Sequence, residues 1–378
     1  MPDIPATMRQ LRSLVTPERE LRLSVATVDT AQPGEREVLV RVEAAPINPS
    51  DLGLLLAMAD VSQAVAGGSA DVPTVTAPVP EPVMGALAAR VGQSMTVGNE
   101  GAGVVVAAGS SPEAQAMLGR TVGFIGGATY GEYCLASPRM CLPLPDGATA
   151  VDGASSFVNP LTALGMVETM RKEGHTGLVH TAAASNLGQM LNRICLADDV
   201  PLVNVVRRPE QAQILRDQGA VHVCDSSEPT FDDDLVAALR ETGATLAFDA
   251  IGGGRLAGQI LNAMEAAIVA PDAPYSRYGS DVHKQVYVYG ALDPRPIELR
   301  RRFGFAWGVG GWLLTPFLAR TSGEDLARLR QRVADELTTT FASHYTDQIS
   351  LSEALDVPTL QRYARQATGE KFLLRPQR

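Results

Sequence analysis

Residues 178–208 constrain this chain more than any other stretch. A short apolar run, Leu-Val-His at 178–180, opens into Ala-Ala-Ala-Ser-Asn-Leu-Gly at 182–188. Leu187, Met190, Leu191 and Ile194 then recur at three- and four-residue spacing, and 201–206 read as a second strand ending at Arg207 and Arg208. The spacing predicts a strand, a tight turn of small residues, a helix laying one apolar stripe on a sheet, and a parallel strand beyond it. Such a turn lets backbone approach a pyrophosphate while amides at the helix N-terminus meet its charge. Ala184, Ser185, Asn186, Leu187 and Gly188 are therefore the expected phosphate-binding residues. A carboxylate after the second strand would grip the ribose 2′-hydroxyl of NAD. Arg207 and Arg208 stand there and suit the 2′-phosphate of NADP. The opposing reading, a commonplace turn followed by a solvated helix start, has the weaker claim, because strand, turn, helix, strand and arginines occur in order.

The same alternation continues. Strand patterns near 178, 202, 221 and 245 are interleaved with helical patterns near 187, 210, 232 and 255, and 285–290 read as a late strand. This rhythm predicts a doubly wound parallel sheet over 151–304. Upstream, Val38, Val40 and Val42 alternate with Leu39, Arg41 and Glu43, which together with 21–28 predicts a β domain over 1–150. Leu-Pro-Leu-Pro-Asp-Gly at 142–147 punctuates its end. Residues 55–98 carry no sustained period and read as an inserted, loop-rich segment at a cleft rim. Thr321-Ser-Gly-Glu324 resembles a capping box before a helix to about 338. A short strand at 371–374 is expected to return the tail, about 305–378, to the first domain. The fold class is thus α/β.

Charge and cysteine usage narrow the partners. With 32 basic and 42 acidic residues the net charge is −10, which disfavours nucleic acid and anionic membranes. The uncharged run 303–319 contains four glycines and a proline and is short for a membrane span, so it is expected to be buried protein. Four cysteines without Cys-x-x-Cys spacing read as reduced thiols in a cytoplasmic protein, and the N-terminus lacks a signal-peptide pattern.

Four motifs occur in the order of the medium-chain dehydrogenase/reductases: Ala-Pro-Ile-Asn-Pro-Ser-Asp (45–51), Gly-Asn-Glu-Gly-Ala-Gly-Val (98–104), the turn above, and Phe-Asp-Ala-Ile-Gly-Gly (248–253). Val-Asn-Pro-Leu-Thr-Ala (158–163) and Val-Asn-Val-Val-Arg (203–207) most resemble the 2-enoyl thioester reductases, with zinc-free quinone oxidoreductases next. The resemblance implies a GroES-like β domain made of both chain ends, a Rossmann domain between them, NADPH as cofactor, and a homodimer pairing a late strand, here 286–290. It brings Asn159 and Thr162 toward the nicotinamide. Zinc-dependent relatives carry a cysteine and a histidine where this chain has Asn48 and Asn99. Neutral amides are poor zinc ligands, so no metal is expected. The five histidines are scattered, and structural roles are expected for them.

Without a metal, the chemistry open to NADPH is hydride donation to an electron-poor small molecule: an enone, an enoyl thioester or a quinone. The protein must orient the reactants and stabilise enolate charge. Asn48, bracketed by Pro46 and Pro49, is the first candidate. Its amide would serve the reactants or merely satisfy local backbone. Tyr130 is the second, as an oxyanion donor or proton relay, against a core tyrosine with a wet hydroxyl. Asp51 reads as a cap rather than a base. Enoyl thioester reductases usually carry a proton-donating tyrosine just after Asn-Pro-Ser-Asp, and 52–60 contain none. A cofactor-binding structural or regulatory protein with little turnover therefore stands as the alternative.

Overall fold

The structure is a computed structural model, and it describes residues 4–69, 72–269 and 274–378. The chain divides into two units, 1–158 with 331–378, and 159–330.

Two sheets make the first unit. In one, the hairpin Thr7–Val15 and Glu20–Asp29 turns Leu11, Val15, Leu21, Leu23 and Val25 into the core, as period-two alternation requires. It is flanked by Pro73–Pro78 and Val65–Gly68 on one side and Ser94–Thr96 on the other. This corrects the reading of 55–98 as a loop-rich insertion, since the segment supplies three of that sheet's five strands. Each is only three to six residues long. Alternation such as Val75 and Ala77 inward between threonines is too brief to stand out in a longer window.

The other sheet runs Cys141–Pro143, Thr121–Ile125, Glu100–Ala108, Val38–Pro46, Phe372–Leu374, Asp347–Ile349, and Tyr133–Ala136 also pairs with Val38–Pro46. Val38, Val40 and Val42 are buried as their period predicts. Leu39 is buried too, because Met8, Val106 and Tyr133 cover the opposite face. The terminal strand sets Leu373 against Pro46 and Leu374 against Ala45. That pairing brings Lys371 near the end of Val38–Pro46.

The second unit is a parallel sheet in the order His222–Asp225, Leu202–Val206, Leu178–Thr181, Leu246–Asp249, Lys284–Val288, Trp307–Gly311. In chain order this is 3-2-1-4-5-6, the doubly wound arrangement expected. Its switch point lies between Leu178–Thr181 and Leu246–Asp249. Helices Asn186–Ala197, Pro209–Asp217, Phe231–Thr242 and Leu256–Ile268 connect the strands.

Three local expectations fail for identifiable reasons. Residues 286–290 offer no pairing edge, because Lys284–Val288 has strands on both sides and Trp307–Gly311 is the edge. The run 303–319 is not uniformly buried. It forms that edge strand and the helix Leu314–Arg320, with Phe305 and Leu313 more than 60% exposed while Phe303 and Trp312 are enclosed. Low charge marked it as apolar, but its glycines leave an edge strand with little to bury. Finally, the helix Gly323–Asp335 is capped one residue later than expected: Ser322 Oγ accepts the Asp325 N–H at 3.1 Å and meets its carboxylate at 2.9 Å. No described helix is long and apolar enough to cross a membrane.

Candidate active site

In the second unit, the strand Leu178–Thr181 ends in Ala182, which has φ +51°, and the chain turns sharply into the helix Asn186–Ala197. The Ser185 N–H donates to the Ala182 carbonyl at 2.9 Å, and Ser185 Oγ caps the helix by accepting the Gly188 N–H at 3.1 Å. Glycine is required at 188 because a Cβ there would run into the Ala183 carbonyl. Ala183 and Ala184 are buried, while Ser185, Asn186 and Leu187 are half-buried at the start of the helix. Met190, Leu191 and Ile194 form the stripe that packs on the sheet.

Arg207 and Arg208 follow the neighbouring strand and are exposed. The Arg207 N–H donates to Gln211 Oε1 at 3.1 Å, and Arg208 occupies the cap position of Pro209–Asp217. Thus the turn at 182–188 and both arginines lie at the carboxyl ends of adjacent strands, where doubly wound sheets receive ligands. Asn159 and Thr162 sit in the first turns of Val158–Lys172, Asn159 half-buried and Thr162 buried. Asp249 braces the switch point: its Oδ1 accepts Thr181 Oγ1 at 2.8 Å and the Ile251 N–H at 2.9 Å, and Thr181 Oγ1 accepts the Ala250 N–H at 2.8 Å. The motif at 248–253 contained this residue, but its partner Thr181 is 68 positions away.

In the first unit, Asn48 lies two residues beyond the core strand Val38–Pro46 and holds the cap position of the helix Pro49–Leu56. Its backbone N–H donates to Asp51 Oδ2 at 2.9 Å, and Asp51 Oδ1 accepts the Asn99 N–H at 2.8 Å, so the capping carboxylate also joins two motifs distant in sequence. The Asn48 side chain also has a partner far away in sequence. Its Nδ2 donates to Glu100 Oε1 at 2.7 Å, while Glu100 Oε2 accepts the Phe157 and Val158 N–H groups at 3.2 and 2.7 Å. All three side chains are buried. Tyr130 is wholly enclosed, its hydroxyl donating to the Pro46 carbonyl at 2.9 Å rather than standing wet. Gly98 makes room for that ring, since a Cβ there would strike it.

Burial sets the electrostatics of this cluster. It raises the Asp51 carboxyl to about 7, outweighing the two backbone N–H groups that oppose it. It also raises Glu100 despite the Val158 N–H and the nearby Lys371 charge, and lifts Tyr130 well above the phenol range. Lys371 donates from Nζ to Ser155 Oγ at 2.8 Å, Ser155 Oγ lies 2.8 Å from the Tyr345 hydroxyl, and burial lowers the ammonium to about 8. Sequence reasoning missed Glu100, Ser155 and Lys371. The one available signal was an acidic residue set between glycines in the 98–104 motif.

Comparison with known proteins bears on both units. Residues 34–146 match the alcohol dehydrogenase GroES-like domain. A mitochondrial enoyl-[acyl-carrier-protein] reductase of Xenopus tropicalis is 31% identical over 209 residues, covering 53% of this chain and 51% of that enzyme, so the chain spans about half the length of this curated relative. A Mesorhizobium loti protein assigned as an NADPH:quinone reductase is 25% identical, with a TM-score of 0.75 over 99% of this chain and all of that one. The GroES-like match lies within the first unit, and the likeness to the Mesorhizobium structure extends over both. A mycobacterial structure solved in complex with NADPH aligns with a TM-score of 0.67 at 20% identity over 98% of this chain and all of its own, a likeness of fold.

Proposed function

We propose that this protein is a reductase that uses NADPH to deliver a hydride, without zinc, to an activated carbon–carbon double bond of an enone or enoyl thioester, or to a quinone. The observation that carries the reading is the turn at 182–188 at the switch point, with exposed Arg207 and Arg208 ending the next strand. Gly188 and the Ser185 cap shape a turn that a pyrophosphate fits, and the arginines supply charge for a 2′-phosphate. When bound, the cofactor supplies the hydride. Asn159 and Thr162 stand as nicotinamide-side residues. Asn48, Glu100 and Asp51 brace the turn that follows Val38–Pro46, and Tyr130 supports it through Pro46. The reductase names carried by the Xenopus and Mesorhizobium proteins support the reading, and amides at 48 and 99 support metal independence.

The same reading includes a homodimer continuing the sheet at Trp307–Gly311, the free edge beside exposed Phe305 and Leu313. It also includes a cytoplasmic location, which suits four buried cysteines that form no disulfide among the described residues. A specific observation favours the alternative of a cofactor-binding protein with little turnover: the Asn48 amide and Tyr130 hydroxyl are already bonded to Glu100 and Pro46. One experiment decides between them. NADPH oxidation is followed against a panel of enones, enoyl thioesters and quinones, with product analysis and zinc measurement on the same preparation. Saturable turnover without stoichiometric zinc is expected. NADPH binding with no acceptor reduced would establish the alternative.

A further inference from the structure

His180 and Tyr289 form a pair that nothing above uses. His180 lies in the middle of the parallel sheet with no exposed surface, and burial lowers its imidazole to about 3, so the ring is neutral and carries one hydrogen. Its Nε2 is 2.7 Å from the Tyr289 hydroxyl, and the rings stack at 5.8 Å with planes 19° apart. Its Nδ1 is buried and has no partner among the described residues. A hydrogen on Nδ1 would make it an orphaned buried donor, among the rarest and costliest defects in protein interiors, whereas an orphaned lone pair is tolerated more readily. The hydrogen therefore belongs on Nε2, which donates to the tyrosine oxygen. Tyr289 must then direct its own O–H elsewhere.

Tyr289 also borders a cavity. Tyr289 is half-buried and lines a depression of about 600 Å³ within the second unit, formed where the chain leaves two adjacent strands, at 288–291 and 311–313, with Pro316 and Arg320 completing it. Its walls include the Trp312 and Leu313 side chains, apolar surface suited to a flat conjugated molecule. It opens at the carboxyl ends of the strands, the side of the sheet that holds the phosphate turn. Burial and the nearby Asp249 charge keep the phenol protonated, hence a donor.

We propose that Tyr289, oriented by His180, hydrogen-bonds the carbonyl oxygen of the acceptor in this depression and stabilises it as negative charge develops there. The proposal rests on the reductase reading. Hydride addition to the β-carbon forms a C–H bond, breaks the C=C π bond and shifts its electron pair through the conjugated system onto the carbonyl oxygen. The acceptor is reduced, NADPH is oxidised, and a proton from water completes the α-carbon as the enolate collapses. Tyr289 contributes the donor at the oxygen and keeps its proton. His180 is a positioning residue, and the pair supplies a phenol that the 52–60 segment lacks.

The test uses Tyr289→Phe, His180→Leu and His180→Gln in the full chain with 2-cyclohexenone as acceptor. Removing one oxyanion donor typically costs ~10²–10³ in kcat, so Tyr289→Phe should lose about that much while NADPH affinity stays within about twofold. His180→Leu should lower kcat by about 10-fold with little change in KM, and His180→Gln, whose amide can still donate to the tyrosine oxygen, should restore most of it. Binding is read separately by quenching of Trp312 fluorescence by 2-cyclohexenone in a Trp307→Phe background. Tyr289→Phe should weaken it about 10-fold. If the unmutated protein reduces no acceptor, the reductase reading fails, and quenching alone judges the site. Should Tyr289→Phe not fold, the double variant His180→Leu/Tyr289→Phe removes both polar partners together and is read in the same assays. Turnover and quenching equal to the unmutated protein, or equal quenching where there is no turnover, would overturn the proposal.

Discussion

The contact between Asn48 and Glu100 separates a designed polar core from an incidental one. Asn48→Ala removes a 2.7 Å donor to a carboxylate that is itself 1% exposed. The cavity left by the amide is small. The dominant loss is a hydrogen bond to an acidic group, about 1.5–3 kcal/mol, because Glu100 Oε1 is left in the interior without that donor. For a domain of about 200 residues, roughly 2–4 °C per kcal/mol gives a fall in Tm of about 3–12 °C. Glu100→Gln perturbs the opposite partner. One carboxylate oxygen becomes an NH₂ that faces either Asn48 Nδ2 or the Phe157 and Val158 N–H groups, so some donor loses its acceptor whichever way the amide turns. The two changes therefore remove one interaction twice. In urea denaturation of both single variants and the double, the double should be less destabilised than the sum by about 1.5–3 kcal/mol. Additivity within about 0.5 kcal/mol would refute the claim that these side chains stabilise one another. NADPH affinity should change little in all three proteins.

Two further outcomes follow from charge. Arg207→Ala should weaken NADPH binding by about 10- to 100-fold, the equivalent of a charge-assisted bond of ~1.5–3 kcal/mol, and leave NADH nearly unaffected; equal affinity of the unmutated protein for the two cofactors in titration calorimetry would sink the assignment. Asp51, raised from 3.8 to about 7, holds a proton in the folded state that the unfolded chain releases across that window. Stability should thus fall as pH rises from about 4 to 7, with this group contributing at most ~1.4 kcal/mol per pH unit. Asp51→Asn lowers the overall stability but should flatten that slope, read from urea midpoints between pH 5 and 7. An unchanged slope would count against the buried acid. Lys371, lowered to about 8, acts at the other end: the folded state has lost a proton the unfolded chain keeps, so stability gains with pH between about 8 and 10.5.

The parallel sheet was legible from residue order because its signals are local. Leu178, Val179, Met190, Leu191 and Ile194 declare strand and helix within one stretch, and a phosphate turn needs its small residues to be contiguous. Chemistry confined to one loop can be read along the chain. The short strands of 55–98 were not legible, because three to six residues pairing with a distant hairpin carry too little periodicity of their own. Asn48, Tyr130 and Asp51 were found as residues but not as partners. What each does depends on Glu100, Pro46 and Asn99, brought to them by strand register and helix capping. Lys371 reaches Ser155 from 216 positions away only because the terminal strand pairs with Val38–Pro46. His180 was expected as a structural histidine, and it is fully buried. Only the tertiary structure set Tyr289 against its ring, 109 positions along the chain, and left the other nitrogen without a partner. Composition and spacing dictate which segments can be strands, helices and turns. Which buried polar group meets which is decided by sheet order, since desolvation makes every unmatched donor costly and the packed fold alone determines where the matching acceptor stands.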